Sequence, residues 1–234
     1  MLHVAAGVLD GRCIALTTVS PTTPAEDLDD AKRLAGALDV PHVLIDANEL
    51  AIAGYADNPP NRCYFCKDNL FTICVTEAKR RGIAVVLDGA NVDDLADHRP
   101  GLRAAEEQGV RHPLVEAGFS KSEIRAASRT LGLDTWDRPA SPCLSSRFPY
   151  GTRITTEALA RVEAAERWLH GRGFREVRVR FHDTVARLEV SPADMPRLLD
   201  ERLAVVEELR RLGFVYVSLD LQGFRSGSLN EVLG

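Results

Sequence analysis

Two hydrophobic periodicities alternate along residues 1–136, one typical of amphipathic helices and the other of short strands. Thr23, Pro24 and Glu26 form a helix-start signal, because threonine caps the first turn, proline fits its first position and glutamate can bond back to the cap. The pattern predicts helices at residues 1–9, 23–38, 66–81 and 120–131, and strands at residues 13–19, 42–45 and 84–87, the last of them buried. Strands that alternate with helices in this way indicate an α/β fold with a parallel sheet.

The alternation ends after Trp136, where residues 137–152 are rich in proline, serine and threonine. This composition is typical of an ordered loop or linker, so we predict a boundary here, with domains at residues 1–150 and 151–234. Beyond it the pattern predicts helices at residues 156–170 and 193–211 and strands at residues 176–181, 185–190 and 216–221. The second domain is therefore expected to be small and α+β.

Composition and charge narrow the functional classes. The 234 residues are 45% hydrophobic and 27% charged, which is typical of a folded globular chain. The net charge of -5 creates no electrostatic field that would favour the binding of nucleic acid. The apolar runs fall short of the ~20 residues that a bilayer requires. The first residues also lack the pattern of a secretory signal. We therefore expect a cytoplasmic protein with no nucleic-acid or membrane partner.

The five cysteines are an odd and sparse set, which in a reducing compartment favours metal, cluster or thiol chemistry over disulfides. Cys63 and Cys66 form a CxxC pair where a proline-rich turn enters a helix, and the basic residues beside them favour thiolates. Cys143 lies in an irregular loop among serines and an arginine, a setting typical of an active-site cleft. Cys13 and Cys74 fall on apolar faces and are interpreted as core residues. An unligated pair is the alternative, and a zinc site would need Cys143 and a distant histidine.

Glycine, amide and carboxylate residues follow the predicted strand at residues 84–87, among them Asp88, Gly89, Asn91 and Asp94. Open α/β sheets bind ligands at the carboxyl ends of their strands, so a nucleotide or its magnesium ion is one interpretation. A turn with a helix cap is the other, because the same residue types favour it equally.

Arginines form a second candidate site. Arg178 and Arg180 alternate on one face of a predicted strand, and Arg225 lies in the sequence GFRSGS. Several guanidiniums could therefore converge on phosphate or carboxylate groups. A solvated strand face is the alternative interpretation.

Several motifs occur in a fixed order along the chain: NPPNRCYFCK, DGANVDD, HRPG, PLVEAG, DRPASPCLSSRFPYGT, RVRFH and LDLQGFRSGSLNE. Together they closely resemble the LarE family, ATP-dependent sulfur transferases of the PP-loop superfamily that mature the nickel-pincer cofactor of lactate racemase. The resemblance implies a parallel-sheet PP-loop ATPase domain, like that of the adenine nucleotide alpha hydrolases. A small α+β domain for substrate binding or oligomerisation would follow it.

The resemblance also implies a reaction on pyridinium-3,5-biscarboxylic acid mononucleotide. ATP with Mg²⁺ would adenylate one carboxylate, a bound sulfur would attack the acyl adenylate, and AMP would leave behind a thiocarboxylate. In some members the cysteine that matches Cys143 gives up its own sulfur. In others, three cysteines that match Cys63, Cys66 and Cys143 hold a [4Fe-4S] cluster with an extra sulfide. Because all three are present here, we favour the cluster-dependent mode.

Further site residues follow from the same resemblance. Cys143 is the expected catalytic residue, and the DGANVDD residues named above are expected to bind the nucleotide. The anionic substrate is expected to contact Ser146, Arg147, Arg178, Arg180 and Arg225. A homo-oligomer is also expected.

The loop that defines the superfamily has no counterpart in this sequence. It is of the SGGVDS type, follows a first strand and binds the ATP pyrophosphate at a helix N-terminus. The fold is therefore expected to lack that strand. One explanation is a start codon that was placed at an internal methionine, and the other is an enzyme that has degenerated and lost the loop. A PP-loop tRNA thiolation enzyme and an inactive iron-sulfur or sulfur-carrier protein are the alternative functions. A gel shift of tRNA would favour the thiolation enzyme. In the reading frame upstream of Met1, an SGGVDS-like run would favour the sulfur transferase, and a stop codon would favour the carrier.

Overall fold

A computed structural model describes residues 1–96, 100–139, 141–225 and 227–233, which divide into two compact units. The first unit contains Met1–Ser20, Ala25–Tyr55 and Pro60–Arg138. The second contains Pro21–Pro24, Ala56–Pro59 and the described part of Pro139–Gly234. The units thus divide within the proline-rich segment, earlier than residue 150, and the boundary between functional domains stays a prediction.

Helices and strands alternate in the first part of the first unit, as the sequence predicted. The elements of this unit are α1 (Leu2–Leu9), β1 (Ala15–Val19), α2 (Ala25–Ala37), β2 (His42–Asp46), α3 (Arg62–Arg80), α4 (Pro100–Glu107), α5 (Pro113–Glu116) and α6 (Lys121–Thr130). β1 and β2 pair in parallel, with Ala15 opposite His42 and Val19 opposite Asp46. A parallel pair needs a crossover connection, and α2 provides it. The mixed α/β character predicted for this part of the chain is confirmed.

Helix α3 begins at Arg62 rather than at residue 66, so both cysteines of the CxxC pair lie within it, three residues apart near its N-terminus. It ends just before Gly82, whose φ of 67° allows the chain to leave the helix. The sequence did not predict α4, which packs on α3. Its Ala104 and Ala105 are buried against Phe71, because small side chains let the two helices approach closely.

The predicted buried strand at residues 84–87 is wrong. In the described residues this segment forms one isolated bridge, between Leu87 and Arg111, and Ala84 and Val85 are exposed. A strand needs a partner along its length for its backbone groups, and β1 pairs only with β2 in the described part of the chain. Instead, the segment lines an apolar cavity of about 180 Å³ together with residues of α1, β1 and α3.

The second unit is a small α+β unit with a three-stranded sheet. Its elements are α7 (Thr156–Gly171), β3 (Val177–His182), β4 (Val185–Val190), α8 (Met195–Asp200), α9 (Arg202–Arg211) and β5 (Tyr216–Leu219). β4 lies in the centre, antiparallel to β3 and parallel to β5. The single helix predicted at residues 193–211 is wrong in one respect, because it is interrupted at Glu201. Across the described ranges of both units, every helix is too short or too polar to cross a membrane.

The segment that follows Cys143 is part of the core of the second unit. Phe148 is completely buried, and its ring lies 4.9 Å from the ring of Phe181 on β3. The side-chain amide of Asn58 donates to the carbonyl oxygens of Phe148 and Pro149, at 3.2 and 2.7 Å. Burial of this aromatic side chain explains why the described part of residues 139–150 belongs with the second unit rather than the first.

Candidate active site

The Cys143 loop is held by backbone and side-chain bonds of the second unit. Cys143 precedes a short 3-10 turn, Leu144–Arg147. The Leu144 N–H donates to the carbonyl oxygen of Thr22 at 2.8 Å, and Leu144 and Ser145 are buried. Cys143 forms no disulfide and is half-buried. The loop backbone is therefore held in place, while the cysteine residue keeps part of its surface in solvent.

Arg147 is only 2% exposed and donates to the loop that contains it. Its Nη1 donates to the carbonyl oxygens of Pro142 and Cys143, at 2.5 and 3.1 Å, and to the hydroxyl of Ser146 at 3.0 Å. Its Nε and Nη2 donate to the carboxylate of Glu166 on α7, at 3.0 and 2.7 Å. This geometry supports a role in holding the loop, and direct contact between Arg147 and substrate stays a prediction.

Arg178 and Arg180 are buried, so the alternative of a solvated strand face is wrong. They are 6% and 7% exposed, although they alternate along β3 as predicted. Arg180 Nη1 donates to the carbonyl oxygen of Ser146 at 2.7 Å. Its Nη2 donates to Glu189 on β4 at 2.7 Å and to the hydroxyl of Ser228 at 2.6 Å. Arg180 thus links the sheet to the Cys143 loop.

Burial and a neighbouring arginine make the positive charge of Arg178 energetically unfavourable. Burial, followed by the nearby positive charge of Arg147, lowers the pKa of Arg178 to about 10. Its guanidinium lies 5.0 Å from the centre of the Phe224 ring and donates to the carbonyl oxygen of Val177 at 2.8 Å. Arg178 therefore remains a cation at neutral pH, in a place where an added anion would be stabilised.

Arg225 forms a two-point ion pair with Glu231, at 2.9 and 3.0 Å. The pKa of Glu231 is lowered by its bond to Arg225 and further by the charges of Arg187 and Arg180. The Arg225–Glu231 pair therefore lies close enough to the Arg180 network to interact with it electrostatically. Contact between Arg225 and substrate stays a prediction.

The DGANVDD loop has the hydrogen bonds of a capped turn. The carboxylate of Asp88 accepts from the Ala90 N–H at 3.0 Å, and that of Asp94 accepts from the side-chain amide of Asn91 at 2.9 Å. The side-chain oxygen of Asn91 accepts from the Asp93 N–H at 3.1 Å. These bonds match the interpretation of the loop as a turn with a cap. Binding of ATP or magnesium at Asp88, Gly89, Asn91 and Asp94 stays a prediction.

The CxxC cysteines lie one turn apart at the start of α3, where two thiols can face one ligand. Cys63 is exposed, and Cys66 is half-buried with its Sγ 4.0 Å from Oε1 of Glu49. Cys143 belongs to the second unit. Within the described part of either unit, no three His, Cys, Asp or Glu side chains are grouped to hold a metal ion. The three-cysteine site therefore stays a prediction.

Comparison with known proteins identifies the family. No protein-family model matches the chain. An uncharacterised protein of Synechocystis sp. is 47% identical over 232 residues, which are 98% of this chain and 87% of that protein. The pyridinium-3,5-bisthiocarboxylic acid mononucleotide synthase of Lactiplantibacillus plantarum is 41% identical over 208 residues, 89% of this chain and 75% of the synthase. The chain belongs to the LarE family. An uncharacterised protein of Methanocaldococcus jannaschii is 32% identical over 169 residues, 72% of this chain and 66% of that protein.

Two buried carboxylates of this LarE-family chain were missed by the sequence interpretation. Glu166 lies on the buried stripe of α7 with Val162 and Leu169, and Glu189 lies on β4 between Leu188 and Val190. A charged residue among buried apolar positions signals a buried partner, because an unpaired charge there is costly. That signal was available in the sequence.

His112 was assigned no role from the sequence, yet it contacts the DGANVDD loop of this LarE-family chain. Its Nδ1 lies 2.6 Å from Oδ1 of Asp88, and the bridge between Leu87 and Arg111 brings the two residues together. Nothing in the spacing could have paired residues so far apart in sequence. His98 and Arg99, from the HRPG motif, lie outside the described residues.

Proposed function

We propose that this chain is an ATP-dependent sulfur transferase that converts carboxylates of pyridinium-3,5-biscarboxylic acid mononucleotide to thiocarboxylates, for the nickel-pincer cofactor of lactate racemase. The observation that carries the proposal is the 41% identity to the Lactiplantibacillus plantarum synthase over 89% of the chain. That relative is named for the bisthiocarboxylic acid form of the same mononucleotide. We also propose that the chain acts as a homo-oligomer in the cytoplasm.

The first unit is proposed to be a PP-loop domain that activates the carboxylate. A carboxylate resists attack until its oxygen becomes part of a good leaving group, and transfer of AMP from ATP achieves this. The parallel pairing of β1 and β2 across α2 supports a nucleotide-binding α/β domain. Asp88, Gly89, Asn91 and Asp94 would contact ATP or its magnesium ion.

The second unit is proposed to bind the anionic mononucleotide. It buries three guanidiniums, of Arg147, Arg178 and Arg180, with two carboxylates, of Glu166 and Glu189. This set carries a formal excess of one positive charge. A phosphate or carboxylate of the substrate would offset that excess, and Ser146 and Arg225 would add contacts.

Cys143 is proposed to be the residue at which sulfur is transferred. In the mode that we favour, Cys63, Cys66 and Cys143 hold a [4Fe-4S] cluster, and the placement of Cys63 and Cys66 in one helical turn fits two of the three ligands. Such a cluster, when bound, would supply an exchangeable sulfide. In the sacrificial mode Cys143 supplies its own sulfur. In both modes Arg147 holds the backbone of the cysteine.

The test is a turnover assay with the purified chain, ATP, Mg²⁺ and pyridinium-3,5-biscarboxylic acid mononucleotide, under anaerobic conditions and with a sulfide source. AMP and a thiocarboxylate product, both detected by mass spectrometry, are expected from the wild type, and the thiocarboxylate is not expected from Cys143→Ala. Cys74→Ala is the matched control and should retain activity. The absence of both products from the wild type would contradict the proposal.

Other outcomes of the same preparation identify the alternatives. A chain that binds iron but forms neither AMP nor a thiocarboxylate would be an iron-sulfur or sulfur-carrier protein rather than an adenylating enzyme. A shift of tRNA on a gel at physiological salt would favour a tRNA thiolation enzyme, which the net charge of -5 argues against.

A further inference from the structure

We propose that Glu166 is a positioning residue for Cys143, which it controls through Arg147. The consequence for catalysis rests on the proposed function, whereas the positioning itself can be tested without turnover. Glu166 lies on α7, is 5% exposed and faces the Cys143 loop on one side and β3 on the other. Neither its helix position nor its spacing from the cysteine had marked it as a site residue.

The link from Glu166 to the cysteine runs through one guanidinium. Both oxygens of Glu166 accept from Arg147, at 3.0 Å from Nε and 2.7 Å from Nη2. The remaining Nη1 of Arg147 donates to the carbonyl oxygens of Pro142 and Cys143, which belong to the two peptide groups that flank the Cα of Cys143. Because a guanidinium is planar and rigid, fixing one edge with a carboxylate fixes the direction of the other edge. Glu166 therefore sets the orientation of the Cys143 backbone.

A second link runs from Glu166 to the arginine-bearing strand. Its Oε1 also accepts from the backbone N–H of Val179, at 2.9 Å, and Val179 stands between Arg178 and Arg180 on β3. Arg180 on the same strand donates to the carbonyl oxygen of Ser146, in the Cys143 loop, at 2.7 Å. Helix α7, the loop and β3 are thus joined to one another by hydrogen bonds. These bonds fix the cysteine relative to the arginines proposed to bind substrate.

Stability alone does not explain the buried ion pair between Arg147 and Glu166. Well-packed apolar residues of similar volume often stabilise a core as well as a buried ion pair does. Charged hydrogen bonds add direction, which an apolar contact lacks. The pair therefore fits a requirement for a defined position of the loop.

The test compares two thiols within one molecule. Wild type, Glu166→Gln and Arg147→Lys are treated with iodoacetamide, and the alkylation rates of Cys143 and Cys63 are measured by peptide mass spectrometry. We expect the ratio of the Cys143 rate to the Cys63 rate to change by roughly tenfold in both variants, as for groups that are coupled through direct contacts. The double variant should show no further change. Because Cys143 is half-buried and Cys63 is exposed, unfolding would also raise the ratio, so the rates are compared under conditions in which circular dichroism shows each variant to be folded.

Glu163→Gln is the matched control, because Glu163 lies on the same helix and pairs with the exposed Arg167. Its ratio should equal that of the wild type. Should Glu166→Gln not fold, as judged by circular dichroism, Glu166→Asp and Arg147→Lys carry the test, since both keep the charge. Ratios within about twofold of wild type in the folded variants would overturn the proposal. An inactive wild type with a variant-sensitive ratio would instead overturn only the proposed function.

Discussion

Arg180 and Glu189 form an ion pair inside the second unit, with 2.7 Å between Nη2 and Oε2 and no solvent exposure of the glutamate side chain. Arg187 donates to the other oxygen of the same carboxylate at 2.8 Å. One buried carboxylate thus bridges two cations on neighbouring strands. The bridge links the stability of the sheet to the charges proposed to bind substrate.

Replacing Glu189 with alanine should strongly destabilise the second unit. The change leaves Arg180 buried without its counter-ion, and loss of one member of a buried pair costs about 3–5 kcal/mol. The measurement is the free energy of unfolding in urea at neutral pH. Glu208→Ala is the control, because Glu208 pairs with the exposed Arg211, and it should cost about 1 kcal/mol or less. Equal effects of the two changes would contradict the buried-pair interpretation.

The stability of the first unit should fall as the pH is lowered through the range in which histidine titrates. Burial, and then the charge of Lys32, lower the pKa of His42, whose Nε2 lies 2.9 Å from the hydroxyl of Thr17. The unfolded chain therefore binds a proton at a higher pH than the folded chain. It follows that stability is present above the unfolded pKa of ~6.5 and is lost below it.

The measurement is the urea midpoint between about pH 7 and pH 5, for wild type and His42→Gln. The variant should show a weaker dependence on pH. Some dependence should remain, because burial also lowers the pKa of His182 in the second unit. An unchanged pH dependence in His42→Gln would contradict this prediction.

Local sequence signals located elements that depend on neighbouring residues. Helix α6 begins with a capping box of Ser120 and Glu123, at the position where the sequence predicts a helix from residue 120. β1, β2, α7, β3 and β4 also lie where the hydrophobic pattern put them, within a few residues. Such elements are determined by side chains that repeat at the period of the element itself.

Features that depend on distant partners were not predictable in this way. Residues 84–87 are apolar enough for a strand, yet a strand exists only where a second one pairs with it. The ion pair between Arg147 and Glu166 forms because α7 packs against the Cys143 loop. The separation of the two residues in sequence does not predict that packing. Cys143 could be selected from its motif, and Glu166 could be noticed as a charged residue on an apolar helix face, whereas its pairing with Arg147 could be found only in the structure.

Gly223→Ala should destabilise the second unit more than Gly227→Ala does. Both glycines have a positive φ, of 74° and 82°, so both changes introduce backbone strain. A Cβ at Gly223 would also lie 2.9 Å from the carbonyl oxygen of Val190, whereas a Cβ at Gly227 would enter open space. Overpacking against backbone should cost a further amount of about 1–3 kcal/mol. The difference between the two unfolding free energies measures it, and a difference near zero would contradict the close approach of these two backbone segments.

Anaerobic reconstitution with iron and sulfide distinguishes the two modes of sulfur transfer. In the cluster mode we expect about four irons per chain, and loss of iron in Cys63→Ala, Cys66→Ala and Cys143→Ala, because three thiolates hold the cluster. Cys74→Ala should retain the iron, because Cys74 lines the apolar cavity and burial raises the pKa of its thiol. In the sacrificial mode only Cys143 matters, and turnover would remove roughly 34 daltons from it, the mass of hydrogen sulfide. Iron content and intact mass, measured on the same preparation before and after turnover, therefore decide between them, and that loss of mass would overturn the cluster mode.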